Sequence, residues 1–294
     1  MTHSSPTNPQ LEMLLAKAWQ TRTANFPMTI QFDYPVDTAV VSLTGKQCSL
    51  NCAHCGRHYL EHMIPIWEAS ERVAAEAPSA LISGGCDLAG RVPVTSHLEE
   101  VVALRSGRQL NWHVGLIGET EAQAIAPLAD VISLDFVGDD ETIRAVYGLD
   151  KTVSDYVESY QILRQYARVL PHITIGLRGG KLGHERPAMD RLVQLGLDGL
   201  VFLVLMPTPG TRYADCQPPA ATDAATILAE ARLRFPDKPI YLGCMRPKGR
   251  YRADLDPLAV RAGMNKIVNP SRPAVHLAEN LGLSIVRGRE CCAL

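Results

Sequence analysis

The strongest constraint on the fold is an alternation of two patterns that begins near residue 38. Short β-branched or apolar runs alternate with longer stretches of helical periodicity, for example at 152–168 and 187–196. Eight strand–helix units over roughly 250 residues match the size of a (β/α)8 barrel. We therefore predict an α/β fold, a TIM-type (β/α)8 barrel over residues 38–294. The eight predicted strands lie at 38–45, 80–85, 109–116, 131–136, 172–179, 199–207, 239–245 and 266–270.

The segment 1–37 is predicted to be a helical extension in front of this barrel. Asn8 and Pro9 form a typical helix start, with Asn8 as the cap and Pro9 in the first turn. Apolar residues then recur at helical spacing, which predicts an amphipathic helix near 9–23.

The composition of the chain excludes several classes of protein. The chain has 294 residues and a formal net charge of −2, and it has no basic stripe that would bind nucleic acid. No apolar run approaches the roughly 18 residues of a membrane span. The first ten residues lack the order of a secretory signal, so we expect a cytoplasmic protein, where structural disulfides are rare. Eight cysteines then point to metal binding.

Three of the predicted strands have one polar face. Because strand side chains alternate between faces, the runs 110–115, 131–136 and 172–178 each carry apolar residues on one side and polar or small residues on the other. A packed parallel barrel is apolar on both sides. We therefore predict a lumen that holds a polar ligand, with buried polar residues near strand ends as the alternative. The residues of the polar face are Asn111, His113, Gly115, Ser133, Asp135, Thr174, Gly176 and Arg178.

A cysteine loop follows the first predicted strand. Cys48, Cys52 and Cys55 have the spacing C-x3-C-x2-C, so three thiolates within eight residues can converge on one metal centre. Three cysteine ligands would bind three irons of a [4Fe–4S] cluster and leave the fourth iron open. A structural zinc site would need a fourth ligand, and His54, between two of the cysteines, is poorly placed to provide it.

This loop resembles the signature of the radical SAM superfamily, in which it follows the first strand of a β/α barrel. The resemblance covers residues 35–290. It implies that S-adenosylmethionine (SAM) chelates the open iron, and that its cleavage yields a 5′-deoxyadenosyl radical that abstracts a substrate hydrogen. Cys48, Cys52 and Cys55 are then the catalytic cluster ligands. The residue before the third cysteine is usually aromatic in the family, and here it is His54, which can still stack on adenine.

The resemblance also suggests positions that contact SAM. Ser83, Gly84 and Gly85 match a segment near the methionine amine. Cys86 stands where an acidic residue is usual, so Ser83, a backbone carbonyl or Asp87 is left to bind the amine. The remaining expected contacts are Asp135 for the ribose, Arg178 for the SAM carboxylate or an anionic substrate group, and the loop around Pro207 through its backbone. For Arg178 the alternative is a buried structural ion pair.

Five cysteines lie outside this loop. Cys244, Cys291 and Cys292, with Cys86 next, are the residues expected to hold an auxiliary [4Fe–4S] cluster, and the C-terminal tail that carries two of them is expected to fold over the barrel mouth. The alternative for any one of them is a buried free cysteine. Cys216 has no assigned task.

A second cluster suggests sulfur insertion. The chain resembles biotin synthase-like proteins, in particular those forming the two-protein lipoyl synthase of archaea and some bacteria. This resemblance implies a sulfurtransferase that acts on an octanoyl-lysine carrier protein or peptide, with a second lipoyl synthase subunit and a reductant such as ferredoxin or flavodoxin as partners. The alternatives are a biotin synthase-like enzyme, a hydrogenase-maturase-like or methylornithine-mutase-like radical SAM enzyme without sulfur insertion, and a non-catalytic iron–sulfur protein.

Overall fold

The eight apolar runs predicted as strands all form strands, and they follow chain order in one parallel sheet. The structure is a computed structural model and describes residues 8–294. Its strands are β1 (Thr29–Asp33), β2 (Thr38–Ser42), β3 (Ile64–Pro65), β4 (Ser79–Ser83), β5 (Gln109–His113), β6 (Val131–Asp135), β7 (Val169–Ile175), β8 (Leu200–Val204), β9 (Ile240–Leu242), β10 (Lys266–Val268) and β11 (Ser284–Gly288).

From β3 onward, helices lie between successive strands of the chain. The predicted helices at 152–168 and 187–196 are present as α6 and α7. The helices are α1 (Pro9–Asn25), α2 (Ala69–Arg72), α3 (Leu98–Arg105), α4 (Glu119–Ile125), α5 (Asp140–Thr142), α6 (Val153–Tyr166), α7 (Glu185–Leu195), α8 (Ala221–Arg234), α9 (Arg250–Arg261) and α10 (Arg272–Asn280). Single turns lie at His58–His62, Ile66–Glu68, Ala126–Leu128 and Ile143–Tyr147.

The sheet is not the closed eight-stranded barrel that the sequence predicts. Within residues 8–294 it has eleven strands in the order β11-β1-β10-β9-β8-β7-β6-β5-β4-β2-β3. β1 lies between β10 and β11, and β3 extends the sheet beyond β2. Within residues 8–294 no strand pairing joins β11 to β3, so the sheet curls around a lumen and stays open along this seam.

The N-terminal helix has the predicted start. The Asn8 side chain accepts a hydrogen bond from the Gln10 backbone N–H at 2.9 Å, and Pro9 is in the first turn. The buried face of α1 packs against α8. A strand, β1, lies in the part of the extension expected to be only helical. Across residues 8–294, no helix is both long and apolar enough to cross a membrane.

Candidate active site

The cysteine loop after β2 is seated against the turn that follows β4. The Thr44 hydroxyl donates to the Gln47 carbonyl at 2.8 Å and accepts from the Gly85 backbone N–H at 2.7 Å. The Cys86 backbone N–H donates to Cys48 Sγ at 3.3 Å. A Cβ on Gly85 would lie 1.9 Å from the Gln47 carbonyl oxygen and 2.6 Å from Cys48 Cβ. Only glycine therefore fits at residue 85.

Cys52 and Cys55 lie farther along the same loop, and both are partly buried. The loop is fixed there by the Ala53 backbone, whose N–H donates to Val146 at 2.7 Å and whose carbonyl accepts from Tyr213 at 3.0 Å. Burial, followed by the charges of the neighbouring thiolates Cys55 and Cys48, raises the pKa of Cys52 to about 12. A bound cation would reverse this by stabilising the thiolates, since thiolates are the metal-binding form of cysteine.

The loop fits an iron–sulfur cluster by its donor set. Among residues 8–294, no three His, Cys, Asp or Glu side chains converge closely enough to hold a single metal ion. Ligands of a four-iron cluster bind different irons, so they surround the cluster rather than meet at a point. Beside the cysteines, the buried Nδ1 of His54 has no hydrogen-bond partner, and its ring meets Tyr147 edge-on at 5.7 Å. This nitrogen is free for a polar ligand.

Polar residues of neighbouring strands meet inside the curled sheet, as the alternation predicts. Asp135 Oδ2 on β6 lies 3.5 Å from His113 Nε2 on β5, and the His113 ring stacks with that of His172 on β7 at 6.0 Å. Despite burial, which raises it, the pKa of Asp135 is held at about 2 by His113 and more weakly by His172 and His54. Burial, followed by His113, lowers the pKa of His172 to about 4, so this ring is neutral at pH 7.

The C-terminal tail fills the other end of the lumen. The Cys291 backbone N–H donates to the Thr38 hydroxyl at 2.9 Å, at the first residue of β2. Cys292 and Ala293 are buried against Val131, Leu170, Val201 and Val268, all on the inner face of the sheet. The prediction of a tail over the barrel mouth is therefore wrong. The tail instead enters the lumen beside the first residue of β2, at the N-terminal ends of the strands, where apolar side chains pack around it.

Polar contacts hold the tail in place. Lys266 Nζ, almost fully buried, lies 3.0 Å from Asp33 Oδ2 and donates to the Leu294 carbonyl oxygen at 2.6 Å. Asn111 Nδ2 donates to Cys291 Sγ at 3.3 Å, and its Oδ1 accepts from the Ser133 hydroxyl at 2.9 Å. The second bond fixes the orientation of the Asn111 amide, so that its NH2 group faces the sulfur.

Three of the four cysteines expected to form a second site lie together. Cys244, Cys291 and Cys292 belong to one packed group in the lumen. A hydrogen bond from Cys292 lowers the pKa of Cys291 to about 6 against the effect of burial, with smaller contributions from the Ala293 backbone and from Asn111. Cys86 is not part of this group, because it follows β4 and contacts Cys48 instead. Cys216 lies beside Gly179, because a Cβ added to Gly179 would be 3.3 Å from Cys216 Sγ.

Only some of the residues expected to contact SAM lie beside the cysteine loop. The Ser83 hydroxyl donates to the His113 carbonyl at 2.9 Å. The exposed Asp87 carboxylate accepts from the Ala89 and Arg91 backbone at 2.8 and 2.9 Å, which closes a local turn. Gly84 is beside Thr44 and Gly85 beside Cys48. The loop around Pro207 lies close to the cysteine loop, since a Cβ on Gly56 would be 3.0 Å from Thr211 Cγ2.

Arg178 is not on the strand to which the sequence assigns it. β7 ends at Ile175, and Gly176 turns the chain with a φ of +72°, a conformation that glycine readily adopts. Arg178 follows in the turn and forms an ion pair with the exposed Glu141. Sequence reasoning also missed His172 and Lys266 as lumen residues. The signal for His172 was available, because it has the same strand parity as Thr174.

Comparison with known proteins places the fold. No protein-family model and no curated protein matches the chain. Among solved structures, methylornithine synthase (PylB) is 16% identical with a TM-score of 0.69, over 97% of this chain and 92% of that one. The FeFe-hydrogenase maturase HydG from Carboxydothermus hydrogenoformans is 14% identical with a TM-score of 0.70, over 96% and 73%.

A third structure, Streptococcus suis SuiB bound to S-adenosylmethionine, is 12% identical with a TM-score of 0.54, over 80% of this chain and 58% of that one. The chain therefore has the curled, parallel β/α fold of these proteins.

Proposed function

We propose that this protein is a radical SAM enzyme that inserts sulfur into an unactivated C–H bond. We further propose that its substrate is an octanoyl-lysine arm on a carrier protein, and that it works as one component of a two-protein lipoyl synthase with ferredoxin or flavodoxin as reductant. The observation that carries the proposal is the presence of two separate groups of cysteines in one lumen. Cys48, Cys52 and Cys55 lie after β2, and Cys244, Cys291 and Cys292 pack together with the tail.

The first group would hold the cluster that binds SAM. When bound, the cluster and SAM together supply a carbon-centred radical able to abstract hydrogen from unactivated carbon. The chain's own contribution is positional: Gly85 allows the loop to seat, and the partly buried His54 has an unpaired Nδ1 close to the cysteines. Asp135, held as a carboxylate by His113, is the proposed acceptor for ribose hydroxyls. Arg178 is the proposed partner of the SAM carboxylate.

The second group would hold the cluster that supplies sulfur. A sulfur donor must be reachable from the radical and shielded from water. Cys292 is buried, and the ring of His172 links it to the Asp135–His113 pair above.

The proposal is tested by counting iron and by following the products. After anaerobic reconstitution we expect wild-type protein to bind clearly more than the roughly four irons of one cubane, and Cys291→Ala/Cys292→Ala protein to keep about four. The matched control is Cys216→Ser, which should keep all the iron. Cys52→Ala should abolish SAM cleavage. Incubation with an octanoylated carrier peptide should give the mass gain of added sulfur.

Two results would overturn parts of this proposal separately. A Cys52→Ala protein that still cleaves SAM would exclude radical SAM chemistry. A Cys291→Ala/Cys292→Ala protein with full iron and full activity would exclude the second cluster. The second candidate is then a radical SAM enzyme without sulfur insertion. The polar part of the lumen around His113 and Asp135 favours it, because such side chains suit a polar substrate better than an octanoyl chain.

A further inference from the structure

We propose that His172 is a nitrogen ligand of the second iron–sulfur cluster, that it shares one iron with Cys292, and that this cluster is therefore of the two-iron type. The inference rests on the proposed function for the existence of that cluster and deepens it. It differs from the [4Fe–4S] type expected from the cysteines of the sequence.

The first observation is how the His172 ring is held. Its Nδ1 lies 3.0 Å from the Leu170 carbonyl oxygen, which can only accept, so Nδ1 carries the ring proton. The lone pair of the neutral ring is then on Nε2. A backbone carbonyl that fixes the other ring N–H is the usual support of a metal-binding histidine, because it sets both the tautomer and the ring orientation.

The second observation is where Nε2 points. It faces the Sγ of the buried Cys292 at 3.8 Å, in the cluster against which the partly buried Cys244 and Cys291 pack. On a tetrahedral ion, with a metal–sulfur bond of about 2.3 Å and a metal–nitrogen bond of about 2.1 Å, the two donor atoms stand about 3.6 Å apart. The observed separation is close to this edge length. The atoms are therefore spaced as two ligands of one ion.

The donor count agrees with a two-iron cluster. A cubane takes one protein ligand on each iron, whereas each iron of a [2Fe–2S] cluster takes two, and imidazole can replace thiolate there. His172 and Cys292 would bind one iron, and Cys244 and Cys291 remain for the other. This also agrees with the finding that no three metal-binding side chains of residues 8–294 meet around one ion.

Asn111 adds a specific second contact to this site. Its amide donates to Cys291 Sγ at 3.3 Å, and the Ser133 hydroxyl holds it in that orientation. Hydrogen bonds to cluster sulfurs are one of the factors that set the reduction potential. The lumen thus offers three thiols, one imidazole and one directed N–H.

The test uses the full-length chain with Cys48, Cys52 and Cys55 all changed to alanine, so that only the second site remains. After anaerobic reconstitution with iron and sulfide we expect about two irons and about two sulfides per chain. The reduced protein is then examined by pulsed EPR with and without ¹⁵N-labelled histidine. We expect nitrogen coupling that changes with the label.

The decisive variant is His172→Cys, with His113→Gln as the matched control. His172→Cys offers a fourth thiolate, so we expect it to keep its iron, lose the nitrogen coupling and show a lower reduction potential. His113→Gln removes an imidazole of the same lumen whose Nε2 faces Asp135, and it should keep the coupling. If the triple-alanine chain does not fold, the same labelling and the same two variants are measured in the wild-type chain without SAM.

Two results overturn the inference while leaving the proposed function intact. The first is a count of about four irons in the second site. The second is a reduced second cluster whose EPR spectrum shows no nitrogen coupling. Two other results overturn the inference together with sulfur insertion. One is a second site that binds zinc and no sulfide, and the other is a second site without metal in both the triple-alanine chain and the wild-type chain.

Discussion

Replacing Gly85 by alanine should disturb the cysteine loop without any change to a cluster ligand. The φ of Gly85 is not positive, so alanine adds no backbone strain there and the effect comes from its Cβ alone. That atom would lie 1.9 Å from the Gln47 carbonyl oxygen and 2.6 Å from Cys48 Cβ. Since Cβ contacts below 3.0 Å are essentially never observed, loop and turn must separate by about 1 Å.

The expected magnitude has two parts. Forcing extra volume into a packed site costs typically about 1–3 kcal/mol of the free energy of unfolding. A displacement of about 1 Å in a positioning element costs on the order of 100-fold in rate. We therefore expect Gly85→Ala to be less stable than wild type, to bind less iron at the cysteine loop, and to cleave SAM much more slowly.

Two glycines provide controls for this variant. Gly183 has open space around its Cβ position and no positive φ, so Gly183→Ala should match wild type. Gly84→Ala places its Cβ at 3.2–3.3 Å from the side chains of Thr44 and Val92, which can give way, and should be intermediate. Stability is measured by urea unfolding, and iron and SAM cleavage after anaerobic reconstitution. If Gly85→Ala equals Gly183→Ala in all three, the packing argument is wrong.

Three further predictions concern charged pairs. Lys266→Met leaves the Asp33 carboxylate buried without its partner and should lower the free energy of unfolding by about 3–5 kcal/mol, measured in urea; a loss below about 1 kcal/mol would contradict the buried pair. Arg246→Met should lower the free energy of unfolding by a similar amount, since Arg246 and Asp256 are both fully buried and joined by two hydrogen bonds. Thermal unfolding followed by circular dichroism at pH 7 measures this, and a melting temperature equal to that of wild type would contradict it. Asp135→Asn should lower the pKa of His113, because the carboxylate raises that pKa against the effect of burial, and NMR titration of the ring would show an unchanged pKa if the pair does not form. The pKa of Asp135 is depressed from 3.8 to about 2, so its stabilising contribution is complete above pH 3.8; the stability difference between wild type and Asp135→Asn should therefore shrink as the pH falls toward 2.

Local patterns predicted most of the elements, because helix and strand periodicity and capping depend on residues close together in the chain. The helix start at Asn8 and the eight strands from 38 to 270 were all predictable in this way. The strands β1, β3 and β11 were not predicted. β1 lies in the extension predicted as helical, β3 has only two residues, and β11 is largely exposed, so none of the three forms a buried apolar run of its own.

The part of the candidate site that depends on residues close together in the chain was likewise predictable, and the rest was not. Cys48, Cys52 and Cys55 are neighbours in any fold, because only a few residues separate them. Arg178 was assigned to a strand because its alternation continues past Ile175, but Gly176 turns the chain there.

The sequence by itself determined the order of strands and helices and the cysteine loop, since both follow from short-range spacing. Only the tertiary structure decided where the tail lies and what it contacts. His172 and Cys292 are separated by 120 positions in the chain, and Asn111 and Cys291 by 180. Their contacts depend on the sheet being open between β11 and β3 and on the apolar end of the lumen that buries Cys292 and Ala293. No local pattern encodes that opening, because it results from the pairing of strands at opposite ends of the chain.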